Sequence, residues 1–106
     1  MTIRRFEIYL VRLNPTQGAE IQKTRPCIVI SPDEMAALKT VIVAPLTSKG
    51  FDFVFRPKIM FQNKNGLVLL DQIRAVDKSR LIKKIGVVDP VVAKEIADTL
   101  VEMFRY

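Results

Sequence analysis

The sequence predicts a small β-barrel of the mainly β, or α+β, class. Six short runs rich in β-branched and aromatic residues are separated by turn residues, a pattern typical of small barrels. One apolar stripe at helical spacing near the C-terminus predicts a single terminal helix. The length of 106 residues suggests one domain, residues 1–106, with one hydrophobic core.

The first two strands are predicted on either side of a long polar loop. Phe6–Leu13 is β-rich and roughly alternating, which predicts a strand. Pro26–Ile30 is an apolar run and predicts the second strand. Between them, Asn14–Thr24 contains a proline and a glycine and is long for a hairpin connection. Because long loops are often functional, we expect a role for this one.

A short helical turn and two strands are predicted in the middle of the chain. Ser31 is expected to cap a helical turn that runs through Leu38, with a proline in the first helical position. Thr40–Leu46 predicts the third strand. Phe51–Pro57 alternates strictly, with a phenylalanine at every second position, and predicts the fourth strand.

Two more strands and the terminal helix complete the predicted fold. Leu67–Val76 follows an Asn-Lys-Asn-Gly turn signal and predicts a fifth strand that becomes polar at its end. Leu81–Val88 predicts a shorter sixth strand. Asp89 is placed to cap a helix that has Pro90 in its first position. Four apolar residues recur at helical spacing and form its predicted core stripe: Val92, Ile96, Leu100 and Met103.

Net charge and cysteine content indicate which kinds of partner and which cellular compartment to expect. The formal net charge is +6, which favours a polyanion such as nucleic acid, an anionic membrane surface or an acidic protein. The single cysteine, Cys27, excludes an intrachain disulfide and is predicted to be a small buried apolar residue. Neither a signal-peptide pattern nor a long apolar run is visible, so a cytoplasmic location without a membrane partner is expected.

The chemistry that is absent excludes several enzyme classes. The chain has no histidine, so Ser-His-Asp and Cys-His nucleophile systems are excluded, and so are zinc sites built from Cys and His. Neither glycine-rich phosphate-binding motif, Gly-x-x-x-x-Gly-Lys-Ser/Thr or Gly-x-Gly-x-x-Gly, occurs in the sequence. We therefore expect no cofactor and no metal site.

Cationic and polar residues collect at the predicted strand ends. They are Arg25, Thr47, Ser48, Asp71, Gln72 and Arg74. If these ends converge, they form a cationic, hydroxyl-lined pocket suited to a phosphodiester, because the guanidinium fork binds phosphate oxygens. Such a pocket could cleave RNA without a metal, since the substrate's own 2′-OH can attack the adjacent phosphorus.

Each of these features also has a purely structural interpretation. Arg25 is either a solvated charge at the end of a loop or the holder of an anion. Thr47 and Ser48 can serve turn chemistry alone. Gln72 and Arg74 can form a polar strand face. Three phenylalanines lie on one face of the predicted fourth strand and are expected in the core rather than as a base-stacking platform: Phe51, Phe53 and Phe55.

In combination, the motifs resemble the MazF/PemK family of toxin endoribonucleases. The similar stretches are Asn-Pro-Thr-Gln-Gly-Ala-Glu, Lys-Thr-Arg-Pro, Ala-Pro-Leu-Thr-Ser and Asp-Gln-Ile-Arg-Ala-Val-Asp-Lys-Ser-Arg-Leu. The resemblance runs from about Phe6 to the terminal helix and implies an SH3-like barrel, the MazF/CcdB-type toxin fold. It implies a homodimer that cleaves single-stranded RNA selectively without metal and leaves 2′,3′-cyclic phosphate and 5′-hydroxyl ends. It also implies a cognate antitoxin with an acidic segment, through which alone the toxin would contact DNA.

The same resemblance assigns residues to the site. Arg25 and Thr47 match the family's catalytic arginine and threonine, and Gln72 matches a glutamine that contacts the substrate. Asn14–Thr24 would be a mobile loop that helps to recognise bases. The remaining residues expected to bind RNA are Glu20, Lys23, Thr24, Ser48 and Arg74. Asp71 is left open as a further catalytic residue, because the arginine that one branch of the family places two positions before it is a leucine here.

Two other functions fit a chain of this kind. A gyrase-poisoning toxin shares the barrel but needs no phosphate clamp, so the Thr-Arg-Pro and Leu-Thr-Ser motifs disfavour it. An SH3-like peptide-binding module needs an aromatic groove, whereas this chain has two tyrosines and no tryptophan. Ala19 stands where many family members have serine, which bears on substrate choice more than on the class of reaction.

Overall fold

The computed structural model describes residues 2–106 and contains seven strands and one α-helix. The first three strands are β1 (Glu7–Arg12), β2 (Thr24–Val29) and β3 (Thr40–Thr47). The next four are β4 (Lys58–Phe61), β5 (Lys64–Val68), β6 (Arg74–Asp77) and β7 (Leu81–Val87), and the helix is α1 (Pro90–Phe104). The predicted class, mainly β with one C-terminal helix, is confirmed.

The sheet is centred on β3, which has two different partners along one edge. The strand order is β4-β5-β3-β2-β1-β7, and β6 pairs with β3 as well. The first half of β3 pairs with β6, where Val41 lies opposite Val76, and its end pairs with β5, where Thr47 lies opposite Leu67. The end of β3 is therefore held between β2 and β5.

The central strands are buried on both faces. Even-numbered apolar residues such as Ile8 and Ile28 join the core cluster that includes Ile96 of α1. Odd-numbered residues such as Tyr9 and Val43 form a second cluster on the opposite face. This follows from the strand period of two, which sends neighbouring side chains to opposite faces.

The terminal helix begins as predicted. The carboxylate of Asp89 accepts a hydrogen bond from the backbone N–H of Val91 at 2.7 Å, and Pro90 is the first helical residue. Ile96 is fully buried, and the other three residues of the predicted stripe are partly buried against the same core. No helix in residues 2–106 is long and apolar enough to cross a membrane.

Four local predictions were wrong. The turn predicted at the Asn-Lys-Asn-Gly sequence lies at residues 62–63 instead, and β5 already begins at Lys64. Phe51–Pro57 is a loop, and Phe51 and Phe53 are exposed rather than in the core. Leu67–Val76 is not one strand: β5 ends at Val68, a 3-10 turn spans Leu70–Gln72, and β6 begins at Arg74. The break lets the chain pair first with the end of β3 and then with its first half. Ser31 does not cap a helix: it is buried, and its hydroxyl accepts a hydrogen bond from the backbone N–H of Ile42 at 3.2 Å.

Candidate functional site

A cleft of about 810 Å³ lies where the ends of β2 and β3 meet the hairpin of β4 and β5. Five of the nine predicted site residues line it: Arg25, Thr47, Ser48, Asp71 and Gln72. The other four lie outside its lining: Glu20, Lys23, Thr24 and Arg74. Three segments therefore converge as predicted: the start of β2, the end of β3 and the turn that follows β5.

The charge of the cleft favours an anion. Four cationic side chains line it, namely Arg25, Lys49, Arg56 and Lys64, against the single carboxylate of Asp71 within the described residues. A second depression, of about 710 Å³ against α1, is lined by three carboxylates and one lysine and is unsuited to phosphate. Electrostatics thus select the first cleft as the place for a polyanion.

Arg25 enters the cleft from β2. Arg25 lies two residues before Cys27 and Thr47 two residues after Pro45, the last pair of the β2–β3 ladder, so both lie at the same end of this ladder and both line the cleft. The Nε atom of Arg25 donates to the carbonyl of Gln22 at 3.2 Å. The Nη1 and Nη2 groups make no hydrogen bond within the described residues, so they are available to an incoming anion. Pro26 restricts Arg25 to extended conformations, which limits the directions its side chain can take.

Thr47 is the last residue of β3, and its hydroxyl can both accept a hydrogen bond within the following turn and donate one to a ligand. Its hydroxyl accepts a hydrogen bond from the backbone N–H of Lys49 at 3.2 Å. The hydroxyl proton is not used in that contact and can be donated to a phosphate oxygen. The turn interpretation and the binding interpretation of Thr47 are therefore compatible, because they use different parts of one hydroxyl.

Gly66 allows β5 to approach the backbone of Thr47 closely. A Cβ atom at Gly66 would lie 2.9 Å from the carbonyl oxygen of Thr47, closer than real Cβ contacts come. The position of Thr47 in the cleft thus depends on a glycine in the neighbouring strand.

Asp71 has a partner that the sequence did not indicate. Its two carboxylate oxygens accept hydrogen bonds from Nε and Nη2 of Arg56 at 2.9 and 2.8 Å. These bonds hold the pKa of Asp71 below its usual range, against the opposing effect of partial burial, and raise the pKa of Arg56. Each carboxylate oxygen of Asp71 therefore accepts one hydrogen bond from Arg56, and the pair fixes the position of the Arg56 guanidinium.

Gln72 connects the cleft to the long loop between β1 and β2. Its side-chain oxygen accepts from the backbone N–H of Ile21 at 2.9 Å, and its amide nitrogen donates to the carbonyl of Ala19 at 3.5 Å. Arg74 is similarly engaged with the start of the loop, since its Nη1 donates to the carbonyl of Leu13 at 3.1 Å. Both side chains therefore have a structural role in addition to any contact with a substrate.

The remaining predicted residues belong to the loop and its edge. The carboxylate of Glu20 accepts from the backbone N–H of Gln17 at 2.5 Å. The backbone N–H of Lys23 donates to the side chain of Asn14 at 2.9 Å, and Thr24 opens β2. These contacts shape the loop beside the cleft but leave the side chain of Lys23 free to reach outward.

In the part of the chain that the structure describes, the geometry supports neither a cysteine nucleophile nor a metal site built from acidic or cysteine side chains. Cys27 is fully buried, and its burial raises the pKa of its thiol to about 12, so it is not a reactive thiol. Within residues 2–106, no three Asp, Glu or Cys side chains lie close enough together to hold a metal ion.

The sequence patterns did not identify Arg56 as a residue of the cleft, and they placed Phe51 in the core. A local signal for Arg56 is nevertheless present in the sequence. Arg56 precedes Pro57 just as Arg25 precedes Pro26, and both arginines line the same cleft. The guanidinium of Arg56 lies 4.7 Å from the ring centroid of Phe51, which also lines the cleft.

A family model described as the PemK-like, MazF-like toxin of type II toxin–antitoxin systems matches residues 4–104. The chain belongs to this family. The resemblance found in the sequence motifs is thereby confirmed.

Solved structures of two MazF toxins and of a mycobacterial endoribonuclease share the fold. MazF of Deinococcus radiodurans is 21% identical with a TM-score of 0.85, and the match covers 100% of this chain and 99% of that one. The toxin MazF-mt6 of Mycobacterium tuberculosis is 19% identical with a TM-score of 0.78, over 92% and 95% of the two chains. A mycobacterial endoribonuclease in complex with its cognate antitoxin is 19% identical with a TM-score of 0.79, over 94% and 92%.

Proposed function

We propose that this toxin is an endoribonuclease that cleaves single-stranded RNA selectively and without a metal ion. The observation that carries the proposal is the cationic cleft in which Arg25 and Thr47 face a common space. The cleft belongs to a chain of the PemK/MazF-like toxin family. Among the solved structures that share its fold, one is of a mycobacterial endoribonuclease.

In the proposed reaction, the 2′ oxygen of the substrate forms a bond to the adjacent phosphorus and the bond from phosphorus to the 5′ oxygen breaks. The 2′-OH proton leaves to solvent, and the departing 5′ oxygen takes up a proton from solvent. The products carry a 2′,3′-cyclic phosphate and a 5′-hydroxyl. Arg25 and Thr47 stabilise the charge that develops on the phosphate oxygens, since preorganised donors act most strongly where charge develops.

The surrounding residues would bind the rest of the strand. Ser48 and Gln72 lie in the cleft beside the reacting phosphate. Glu20, Lys23 and Thr24, in the first loop and at the start of β2, would meet the neighbouring nucleotides. We assign Asp71 and Arg74 to holding Arg56 and the first loop, respectively, on the basis of their hydrogen bonds.

The proposed assembly is a homodimer in the cytoplasm that a cognate antitoxin inhibits. Large apolar side chains are exposed on β7 and α1, and such surfaces favour association: Ile82, Val87, Val91, Val101 and Phe104. A fold relative is known in complex with its cognate antitoxin. An acidic antitoxin segment would suit the cationic cleft, and contact with DNA would come only through the antitoxin.

The decisive experiment is the incubation of the purified chain with a long single-stranded RNA in EDTA. We expect discrete fragments whose 5′ ends can be phosphorylated by polynucleotide kinase without prior phosphatase treatment. Arg25→Ala, purified in parallel, controls for a contaminating ribonuclease and should leave the RNA intact. An absence of cleavage by the native chain, or cleavage that EDTA abolishes and Mg²⁺ restores, would contradict the proposal. Inhibition of gyrase supercoiling without RNA cleavage would favour the gyrase-poisoning alternative.

A further inference from the structure

The loop between β3 and β4 presents an aromatic ring inside the cationic cleft. Phe51 lines the cleft that also holds Arg25 and Thr47, and 71% of the residue is exposed. It belongs to neither of the two core clusters. Its ring therefore lies outside the core and is open to a ligand in the cationic cleft.

Arg56 fixes this ring from one side. The guanidinium carbon lies 4.7 Å from the ring centroid, and Nη1 donates to the carbonyl of Phe51 at 3.3 Å. The other two nitrogens of the same guanidinium, Nε and Nη2, donate to Asp71. Only 12% of the Arg56 side chain is exposed. Asp71, Arg56 and Phe51 thus form a chain of contacts that holds the ring in place while leaving much of it open to the cleft.

We propose that Phe51, backed by Arg56, is a platform on which one nucleobase of the bound RNA stacks beside the phosphate held by Arg25. The inference rests on the proposed function for its substrate. Nucleic-acid bases stack on aromatic rings whatever their sequence, and neighbouring cations track the phosphates. A ring that is already held in place loses little freedom on binding, so the contact is preorganised. Phe51 is then a binding residue, and Arg56 a positioning residue that acts through it.

Phe53 provides a matched control in the same loop. It is also exposed, at 54%, but it lies outside the cleft lining, where its ring makes an edge-to-face contact with Phe55 at 6.4 Å between centroids. A comparison of variants at Phe53 and Phe51 therefore distinguishes the effect of removing any exposed phenylalanine from the effect of removing the ring in the cleft.

The absence of tryptophan from the chain allows a direct optical test. Phe51→Trp and Phe53→Trp each introduce a single indole. The probe is a mixed-sequence 2′-O-methyl RNA of about 12 nucleotides, a length within the range that single-strand binders cover. It keeps the bases and phosphates but cannot undergo 2′-OH attack. We expect the probe to quench the fluorescence of Phe51→Trp strongly and that of Phe53→Trp little.

Binding measurements complete the test. Phe51→Ala should weaken binding of the same probe, labelled with a fluorophore, between about fivefold and about a hundredfold. Phe51→Tyr keeps a ring and should recover most of that loss, whereas Phe53→Ala, outside the cleft, should bind like the native chain. Arg56→Lys should give a smaller loss than Phe51→Ala, since it misplaces the ring but leaves it present. Equal quenching of the two tryptophan variants, unchanged binding by Phe51→Ala, or a failure of the native chain to bind the probe overturns the platform.

The outcome is separable from that of the proposed nuclease activity. If the native chain cleaves RNA but Phe51 and Phe53 variants behave alike, the platform is wrong and the nuclease proposal stands. If the chain cleaves no RNA but the Phe51→Trp signal and the Phe51→Ala loss are observed, the platform stands as part of an RNA-binding cleft and the nuclease proposal fails.

Discussion

Asp71 accepts two parallel hydrogen bonds from Arg56, a residue fifteen positions earlier in the chain. The pair joins the turn after β5 to the loop after β3, and both segments contribute residues to the cleft wall. Arg56 is more deeply buried than Asp71, with 12% against 31% of the side chain exposed. A guanidinium that is largely removed from water requires a counter-charge, so the carboxylate stabilises the architecture of the site.

The first prediction concerns the stability that this pair provides. Asp71→Asn should lower the free energy of unfolding near neutral pH by about 1–3 kcal/mol, because it leaves a charged donor without its ionic partner. The measurement is urea unfolding of the native and variant chains. Asp98→Asn is the control, since its ion pair with Lys94 lies on the exposed helix surface and should matter little.

The pH dependence of that difference follows from the lowered pKa of Asp71. In the unfolded chain an aspartate titrates near about 3.9. Because the folded value is lower, the stabilisation is fully present above the unfolded value and is lost as the pH falls through the folded one. The stability difference between native and Asp71→Asn should therefore shrink in acid. A difference that stays constant from neutral to strongly acidic pH would show that the charge of Asp71 is not its source.

The second prediction is that Gln72 restrains the first loop. Gln72→Ala removes the acceptor for Ile21 and the donor to Ala19. One hydrogen bond contributes about 1 kcal/mol, so loss of the shorter bond, to Ile21, should by itself raise the population of the open loop about fivefold. Limited digestion with trypsin, which can cut after Lys23, measures this opening. Gln72→Glu keeps the acceptor and should be digested more slowly than Gln72→Ala; equal digestion of native and Gln72→Ala would contradict the restraint.

The fold and part of the site could be predicted from the sequence because their signals are local. Asp89 and Pro90 start α1 through contacts within one turn, and the apolar residues of β1 occupy successive positions, in agreement with its burial on both faces. Phe51–Pro57 has a phenylalanine at every second position, but Phe51 and Phe53 remain exposed, because burial depends on neighbouring elements that only the folded chain supplies. Arg56 was missed because its partner lies fifteen residues away and only the folded chain brings the two together.

The third prediction tests the close approach of β5 to β3. In an ordinary strand, replacement of glycine by alanine stabilises the fold by about 0.5–1 kcal/mol. Gly66→Ala should do the opposite and cost about 1–3 kcal/mol, because the new Cβ would lie 2.9 Å from the carbonyl oxygen of Thr47. The shift of Thr47 should also slow RNA cleavage. Thermal unfolding and a cleavage assay check both parts, and a variant with native stability and rate would refute the packing argument.

The fourth prediction separates the two uses of the Thr47 hydroxyl. Thr47→Val keeps the shape but removes both the acceptor for Lys49 and the proton donor. Loss of one preorganised transition-state contact typically slows a reaction about 10²–10³-fold, whereas the lost turn bond costs only about 1 kcal/mol of stability. Thr47→Ser restores the hydroxyl and should recover most of kcat/KM. If Thr47→Val cleaves RNA at the native rate, the hydroxyl has a turn function alone.

The last prediction concerns the geometry of the cation at Arg25. Arg25→Ala should lower kcat/KM for RNA cleavage by about 10²–10³-fold, because it removes the guanidinium that faces the same space as Thr47. Arg25→Lys keeps the charge but not the planar fork, so it should recover little of the activity if Nη1 and Nη2 grip two phosphate oxygens. Both variants should unfold at nearly the native temperature, since the side chain is exposed and its one hydrogen bond is to the carbonyl of Gln22.

Lys64→Ala is the matched control: it removes a positive charge from the same cleft and should weaken RNA binding without a comparable loss of kcat. If Arg25→Lys cleaves as fast as the native chain, charge alone suffices at this position; if Arg25→Ala does, the catalytic assignment is wrong and Arg56 becomes the next cation to test.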